Sequence, residues 1–140
     1  SCIEILKYFG IPVAGKRAVV IGRSLVIGKP VSMLLLNENA TVTTCHSRSE
    51  NLPQICREAD IIIAAAGKAA MVTKEYVKPG QTVLDVGIHV DDEGNMCGDT
   101  AFAEIEPIVD AITPVPGGVG SVTTAILASH VIEAAEKVAK

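Results

Sequence analysis

Ala18-Val19-Val20-Ile21-Gly22-Arg23-Ser24-Leu25-Val26-Ile27-Gly28-Lys29-Pro30 is the stretch from which the rest of this chain is read. Four small or β-favouring apolar residues in a row predict a strand buried on both faces, and Gly22 stops it where the backbone turns sharply. Pro30 suits a first helical position, where its missing N–H has no intrahelical partner, and Val31 to Leu36 supply an apolar face, so a helix follows. Backbone N–H groups at such a helix start attract anions, and Gly22 and Gly28 lack the Cβ atoms that would hold a phosphate away. The spacing is Gly-x5-Gly rather than Gly-x-Gly-x-x-Gly, and Gly-Lys-Pro is not the Gly-Lys-Ser/Thr of a P-loop, so the loop by itself also fits a plain tight turn.

On the amino-terminal side, Ile3, Ile5, Leu6 and Phe9 predict a short amphipathic helix over 1–9, ended by Gly10 and Pro12. Downstream, strands are expected at 40–45, 60–66, 82–86 and 111–113, with short helical pieces at 52–58 and 73–77. A polar hairpin-like loop is expected at 91–95, closed by Gly98-Asp99, and a last helix at 121–138 with Ser121 as its N-cap. Short apolar strands alternating with helices imply an α/β fold: a Rossmann-like, doubly wound, mostly parallel sheet with helices on both faces. Ligands bind such sheets outside the carboxyl ends of the strands, where this chain collects Gly22, Ser47, Gly67, Gly87 and Gly117-Gly118.

The 140 residues suffice for one domain with a substantial core. A net charge of −4, no basic block and only two Tyr, two Phe and no Trp argue against nucleic acid or a membrane as partner. No signal peptide or membrane-length apolar run is visible, so a cytoplasmic location is expected. Cys2, Cys45, Cys56 and Cys97 form no Cys-x-x-Cys pair and read as reduced, mostly buried small hydrophobes; His46, His89 and His130 have no metal-ligand spacing, and no metal is expected. The sequence begins at Ser1 rather than Met, which suggests a piece of a longer chain.

At the end of the second strand, where NAD-binding sheets carry an acid for the ribose hydroxyls, stands Cys45-His46-Ser47-Arg48-Ser49. An arginine among hydroxyls and no carboxylate before Glu50 suits the 2′-phosphate of NADP, with a solvated polar loop as the alternative. Asp85 at a strand end fits a backbone-tying turn residue better than an acid or base.

The segments 22–30, 41–49, Asp85-Val86-Gly87-Ile88, Gly98-Asp99 and Thr113-Pro114-Val115-Pro116-Gly117-Gly118-Val119-Gly120 closely resemble the bifunctional methylenetetrahydrofolate dehydrogenase/methenyltetrahydrofolate cyclohydrolase family, in order and along the whole chain. That resemblance implies the NAD(P)-binding domain over 1–140 of an enzyme that oxidises 5,10-methylenetetrahydrofolate and hydrolyses the methenyl product. It further implies that Gly22, Arg23 and Ser24 hold cofactor phosphates, Ser47 the ribose-phosphate end, and Ile88 the nicotinamide side, beside Gly28 and Arg48, which the helix start and the strand end offer as cofactor-binding candidates. Pro114, Pro116, Gly117, Gly118 and Val119 would line the folate side, and the helices at 1–9 and 121–138 would connect to a second, amino-terminal domain that binds folate. A homodimer is expected by the same likeness. The family's catalytic lysine belongs to that other domain. Lys68, the lysine best placed at the rim, reads as solvated or cofactor-facing, and no catalytic residue is assigned here.

Two departures stand out: Ser121-Val122 follows the last glycine where the family has Pro, and His89 follows Asp-Val-Gly-Ile where it usually has Asn. His89 is expected to be a surface or cofactor-edge residue. The chain alone is expected to be inactive; the alternative to a fragment of the enzyme is a stand-alone dinucleotide-binding or dimerisation module without catalysis. Gly22→Val is expected to abolish nucleotide binding while the fold largely survives, because a branched Cβ at the strand end blocks phosphate approach.

Overall fold

The apolar runs at 18–21 and 61–64 are adjacent strands at the centre of a parallel sheet in the computed structural model of the chain, which describes residues 2–22, 28–46, 48–90 and 92–115. In chain order the elements are α1 (Cys2–Tyr8), β1 (Arg17–Ile21), α2 (Gly28–Asn37), β2 (Thr41–Cys45), α3 (Leu52–Arg57), β3 (Ile61–Ala64), a 3-10 turn at Lys74–Tyr76, β4 (Thr82–Asp85), β5 (His89–Val90), β6 (Met96–Cys97), α4 (Phe102–Ile105) and β7 (Ala111–Ile112). Five strands lie in the order β2-β1-β3-β4-β7, all parallel, and β5 and β6 form a separate antiparallel hairpin. The expected hairpin and mostly parallel sheet are both present, and the helix expected at 121–138 lies outside the described residues.

Period-two alternation explains why the central strands contain no polar face. Ala18, Val20, Ile61, Ile63 and Leu84 point to one side, where they meet Ile3, Leu6 and Leu35 of α1 and α2. Val19, Ile21, Ile62, Ala64 and Val83 point to the other, against Cys56 of α3 and Ile105 of α4. The runs 18–21 and 61–64 are therefore apolar throughout because each face is covered.

Three local expectations need correction. Helix α2 begins at Gly28, so Pro30 is already inside its first turn, and beside Gly28 its buried residues are Ser32 and Leu35, whereas Met33, Leu34 and Leu36 are exposed. The polar Ser32 is accommodated because its hydroxyl donates to the Gly28 carbonyl (2.8 Å) and pairs with Thr44 Oγ1 of β2 (2.9 Å). Phe9 lies beyond α1 and is exposed, and α4, a single turn without a side-chain cap, had no sequence signal beyond the buried Ile105.

Cys2, Cys45 and Cys56 are buried and Cys97 is half-buried, all as free thiols. Burial pushes the Cys2 and Cys45 thiols up and Cys56 to about 12. An unfolded thiol ionises near ~8.5, so between there and the folded value the native state retains a proton that the unfolded chain releases, and stability falls as pH rises. We expect the urea midpoint to decline above about pH 8.5, with a shallower decline in Cys56→Ala, and alkylation of the native protein to label Cys97 first. No helix among the described residues is long and apolar enough to cross a membrane.

Candidate functional site

Strand order alone indicates where a ligand should bind. From β1 the chain adds β2 on one side, then returns across β1 to place β3 on the other, so the direction of winding reverses between β1 and β3. Connections leave on opposite faces at that point, and a crevice opens beyond the carboxyl ends. A cavity of about 440 Å³ occupies that position, within the ~300–1,000 Å³ typical of small-molecule sites. Ile21 and Gly22 of the β1 exit form its floor, with His46 and Ser49 from the β2 exit on one wall and Ala65, Ala66 and Lys68 from the β3 exit on the other. Leu52, Met71 and Tyr76 close it with an apolar side.

Gly22 is where two strands nearly touch. Its φ is +131°, and a Cβ there would run into the Ala65 carbonyl, 2.9 Å from the carbonyl carbon and closer still to the oxygen. The Gly22 N–H donates to the Cys45 carbonyl (2.8 Å) and the Ala65 N–H donates to the Ile21 carbonyl (2.8 Å), so the turn is tied to both neighbours. The expectation that Gly22→Val spares the fold is therefore wrong: this glycine is demanded by close backbone approach, whatever binds above it.

The β3-exit wall is held by a buried carboxylate from the hairpin. Asp99, 0% exposed, accepts N–H bonds from Ala66 (2.7 Å) and Gly67 (3.1 Å) on Oδ2 and from Lys68 (3.1 Å) on Oδ1. His89 Nε2 lies 2.7 Å from the same Oδ1. Asp99 is placed in turn by Asp85 at the end of β4, whose carboxylate accepts from the N–H groups of Gly87 (3.0 Å), Asp99 (3.0 Å) and Thr100 (2.9 Å) and from the Thr100 hydroxyl (2.7 Å). Gly87 and Gly98 make this possible, because a Cβ on the first would overlap the Asp99 carboxyl and on the second the Asp85 carboxyl. Asp85 is thus the backbone-tying residue its position implied; all its acceptor sites face donors of its own chain.

Of the residues singled out from sequence, Gly22 lines the cavity and Arg48 is exposed on the same β2-exit turn, where its N–H donates to His46 Nδ1 (3.2 Å). Gly28 is buried at the start of α2. Ile88 and Pro114 are exposed at the β4 and β7 exits and do not line the cavity. Arg23, Ser24, Ser47, Pro116, Gly117, Gly118 and Val119 lie outside the described residues. Ser49, one of the hydroxyls read beside Arg48, lines the cavity, while His46, Met71 and Tyr76 were not singled out and only their strand-exit positions could have marked them. His89 is half-buried, does not line the cavity and has a firm partner in Asp99, and Lys68 stands at the cavity with its side chain exposed.

A second cavity of about 470 Å³ lies between α1 and β7. Ile5, Phe9, Leu84 and Val109 give it an apolar wall, and its charged groups are Glu106 and Asp110, which would repel a phosphate. The switch-point cavity has the opposite character: Lys68, His46 and Ser49 supply polar groups, and among the described residues no carboxylate lines it.

Comparison with known proteins agrees with that geometry. Residues 1–139 match the family described as tetrahydrofolate dehydrogenase/cyclohydrolase, NAD(P)-binding domain. The bifunctional protein FolD of Carboxydothermus hydrogenoformans is 65% identical over 138 residues, covering 97% of this chain and 48% of the relative. The crystal structure of the bifunctional FolD methylenetetrahydrofolate dehydrogenase/cyclohydrolase from Campylobacter jejuni superposes with a TM-score of 0.94 at 40% identity, covering 97% of this chain and 48% of that one. The Trypanosoma brucei methylenetetrahydrofolate dehydrogenase-cyclohydrolase, complexed with NADP cofactor and inhibitor, gives 0.83 at 41% identity, over 90% and 45% of the two chains. The chain spans about half the length of the curated relatives it matches.

Proposed function

Because the chain belongs to the tetrahydrofolate dehydrogenase/cyclohydrolase family, within its NAD(P)-binding domain, we propose that it is the dinucleotide-binding half of a methylenetetrahydrofolate dehydrogenase/methenyltetrahydrofolate cyclohydrolase that uses NADP. The observation that carries this reading is the switch-point cavity, with a glycine floor, one apolar side and cationic or hydroxyl groups in place of the acid that NAD sites present to ribose.

NADP, when bound, supplies the hydride acceptor for oxidation of the folate methylene bridge. The residues of this chain bind and orient. Leu52, Met71 and Tyr76 exclude water from one side of a planar base, while His46, Ser49 and Lys68 offer polar contacts to ribose and phosphate. Arg23, Ser24 and Gly28 are assigned to the cofactor phosphates, Ser47 and Arg48 to the 2′-phosphate, and Ile88 to the nicotinamide side. Pro114, Pro116, Gly117, Gly118 and Val119 are assigned to the folate side. Proton transfer and most folate contacts are assigned to an amino-terminal domain, with residues 1–9 and 121–138 as connectors, so the 140 residues alone should bind without turnover. We further assign a cytoplasmic homodimer, for which the exposed Met33, Leu34 and Leu36 of α2 offer apolar surface.

Paired titration tests the cofactor reading. A charge-assisted bond to phosphate is worth roughly 1.5–3 kcal/mol, so Arg48→Ala should weaken NADP⁺ about ten- to a hundredfold and leave NAD⁺ nearly unchanged. Equal losses for both nucleotides, or a wild type that favours NAD⁺, would reduce Arg48 to a solvated loop residue.

A further inference from the structure

Building on the dinucleotide reading above, we infer that His89 is a positioning residue for the adenosine-side wall of the cavity, acting through Asp99. His89 does not line the cavity, yet its Nε2 sits 2.7 Å from Asp99 Oδ1, with the imidazole 23% and the carboxylate 0% exposed. The other donors to that carboxylate are the N–H groups of Ala66, Gly67 and Lys68, the wall itself. Those three hold the wall to Asp99; His89 holds Asp99 from the hairpin side.

The backbone of Asp99 is anchored separately. The Ala70 N–H donates to the Gly98 carbonyl (3.1 Å), the Val72 N–H to the Asp99 carbonyl (2.9 Å) and the Ala101 N–H to the Val72 carbonyl (2.8 Å). These bonds fix the main chain; the orientation of the carboxylate is set by its own partners, the wall N–H groups on one side and His89 on the other. Gly87 borders it closely, and the side-chain bond from His89 restrains its rotation together with the wall's three N–H groups. A turn of the carboxylate would carry the wall with it, because Oδ1 and Oδ2 are both engaged there.

Position then separates cause from effect. His89 directly follows Ile88 at the β4 exit, whereas the wall it steadies belongs to the β3 exit and faces the cavity shared with β1 and β2. A residue on one half of the dinucleotide site thereby sets affinity for the other half.

The experiment titrates the chain with NADP⁺ and with 2′,5′-ADP, which carries the adenosine half and no nicotinamide. His89→Leu should weaken both by a similar factor, about five- to twentyfold, for one lost charge-assisted bond acting at second hand. His89→Gln places an amide donor where Nε2 stood and should restore both affinities to within about threefold of wild type. The inference fails if 2′,5′-ADP binds His89→Leu as it binds wild type, with NADP⁺ weakened or not. It fails equally if His89→Gln, with a wild-type melting temperature, does not restore binding. A wild type that binds neither ligand would instead overturn the dinucleotide reading, and this inference with it.

Discussion

Gly22→Val is expected to abolish nucleotide binding and to lower the melting temperature by about 10–20 °C. The new Cβ would meet the Ala65 carbonyl, and the turn cannot withdraw without losing the Gly22–Cys45 or Ala65–Ile21 backbone bonds. A branched residue held at φ +131° adds strain of ~1–3 kcal/mol, and overpacking costs another ~1–3 kcal/mol. Gly22→Ala identifies the cause. Close strand approach makes alanine nearly as damaging as valine to stability, since the first carbon does the harm, whereas a phosphate-clearance role would leave the alanine variant's melting temperature near wild type. Thermal unfolding of both variants, with NADP⁺ titration at low temperature where they remain folded, decides between them.

Asp85→Ala should be comparably severe, costing about 3–5 kcal/mol as several donors lose their acceptor at once, of a total that is typically ~5–15 kcal/mol. The carboxylate is 2% exposed and accepts from three backbone N–H groups and one hydroxyl. Its removal strands those donors in the interior at ~1–3 kcal/mol for each group left unsatisfied, less whatever water can enter. Asp85→Asn should recover little, because an amide presents N–H to donors where an anion stood. Urea unfolding measures the loss. If Asp85 were instead a catalytic acid or base, both variants would keep wild-type stability and lose only turnover in the full-length enzyme.

The central sheet was legible because burial on two faces writes itself as unbroken apolar runs, as at Val19-Val20-Ile21 and Ile61-Ile62-Ile63. Gly22 was legible as a special position, although for a reason one residue away in space and 43 away in sequence. The work of Asp99 was not legible: Gly98-Asp99 reads as a loop closure, and nothing local says that its carboxylate ends under residues 66–68. Gln81 was missed likewise. It is fully buried, its amide donates to the Cys56 and Ala59 carbonyls (both 2.8 Å), and its Oε1 accepts the Lys78 N–H (2.8 Å). A lone polar residue before a strand carries no periodic signal, and its role exists only once α3 and β4 are side by side. The exposed Met33, Leu34 and Leu36 misled in the other direction, since a helix apolar on more than one face cannot announce which face is inward.

The reach of Asp99 also bears on the assembly of the molecule. Its bonds to residues 66–68 close loops of 31 to 33 residues, and those from Asp85 close 14 and 15. Pairing of β3 with β4 closes 21 residues and brings the exits that carry these groups side by side, which lowers the chain entropy still to be lost when the Asp99 bonds to residues 66–68 form. The sheet and its binding crevice are thus separable: a chain with β1 to β4 in register and Asp99 unengaged would still have no wall against which a nucleotide could rest.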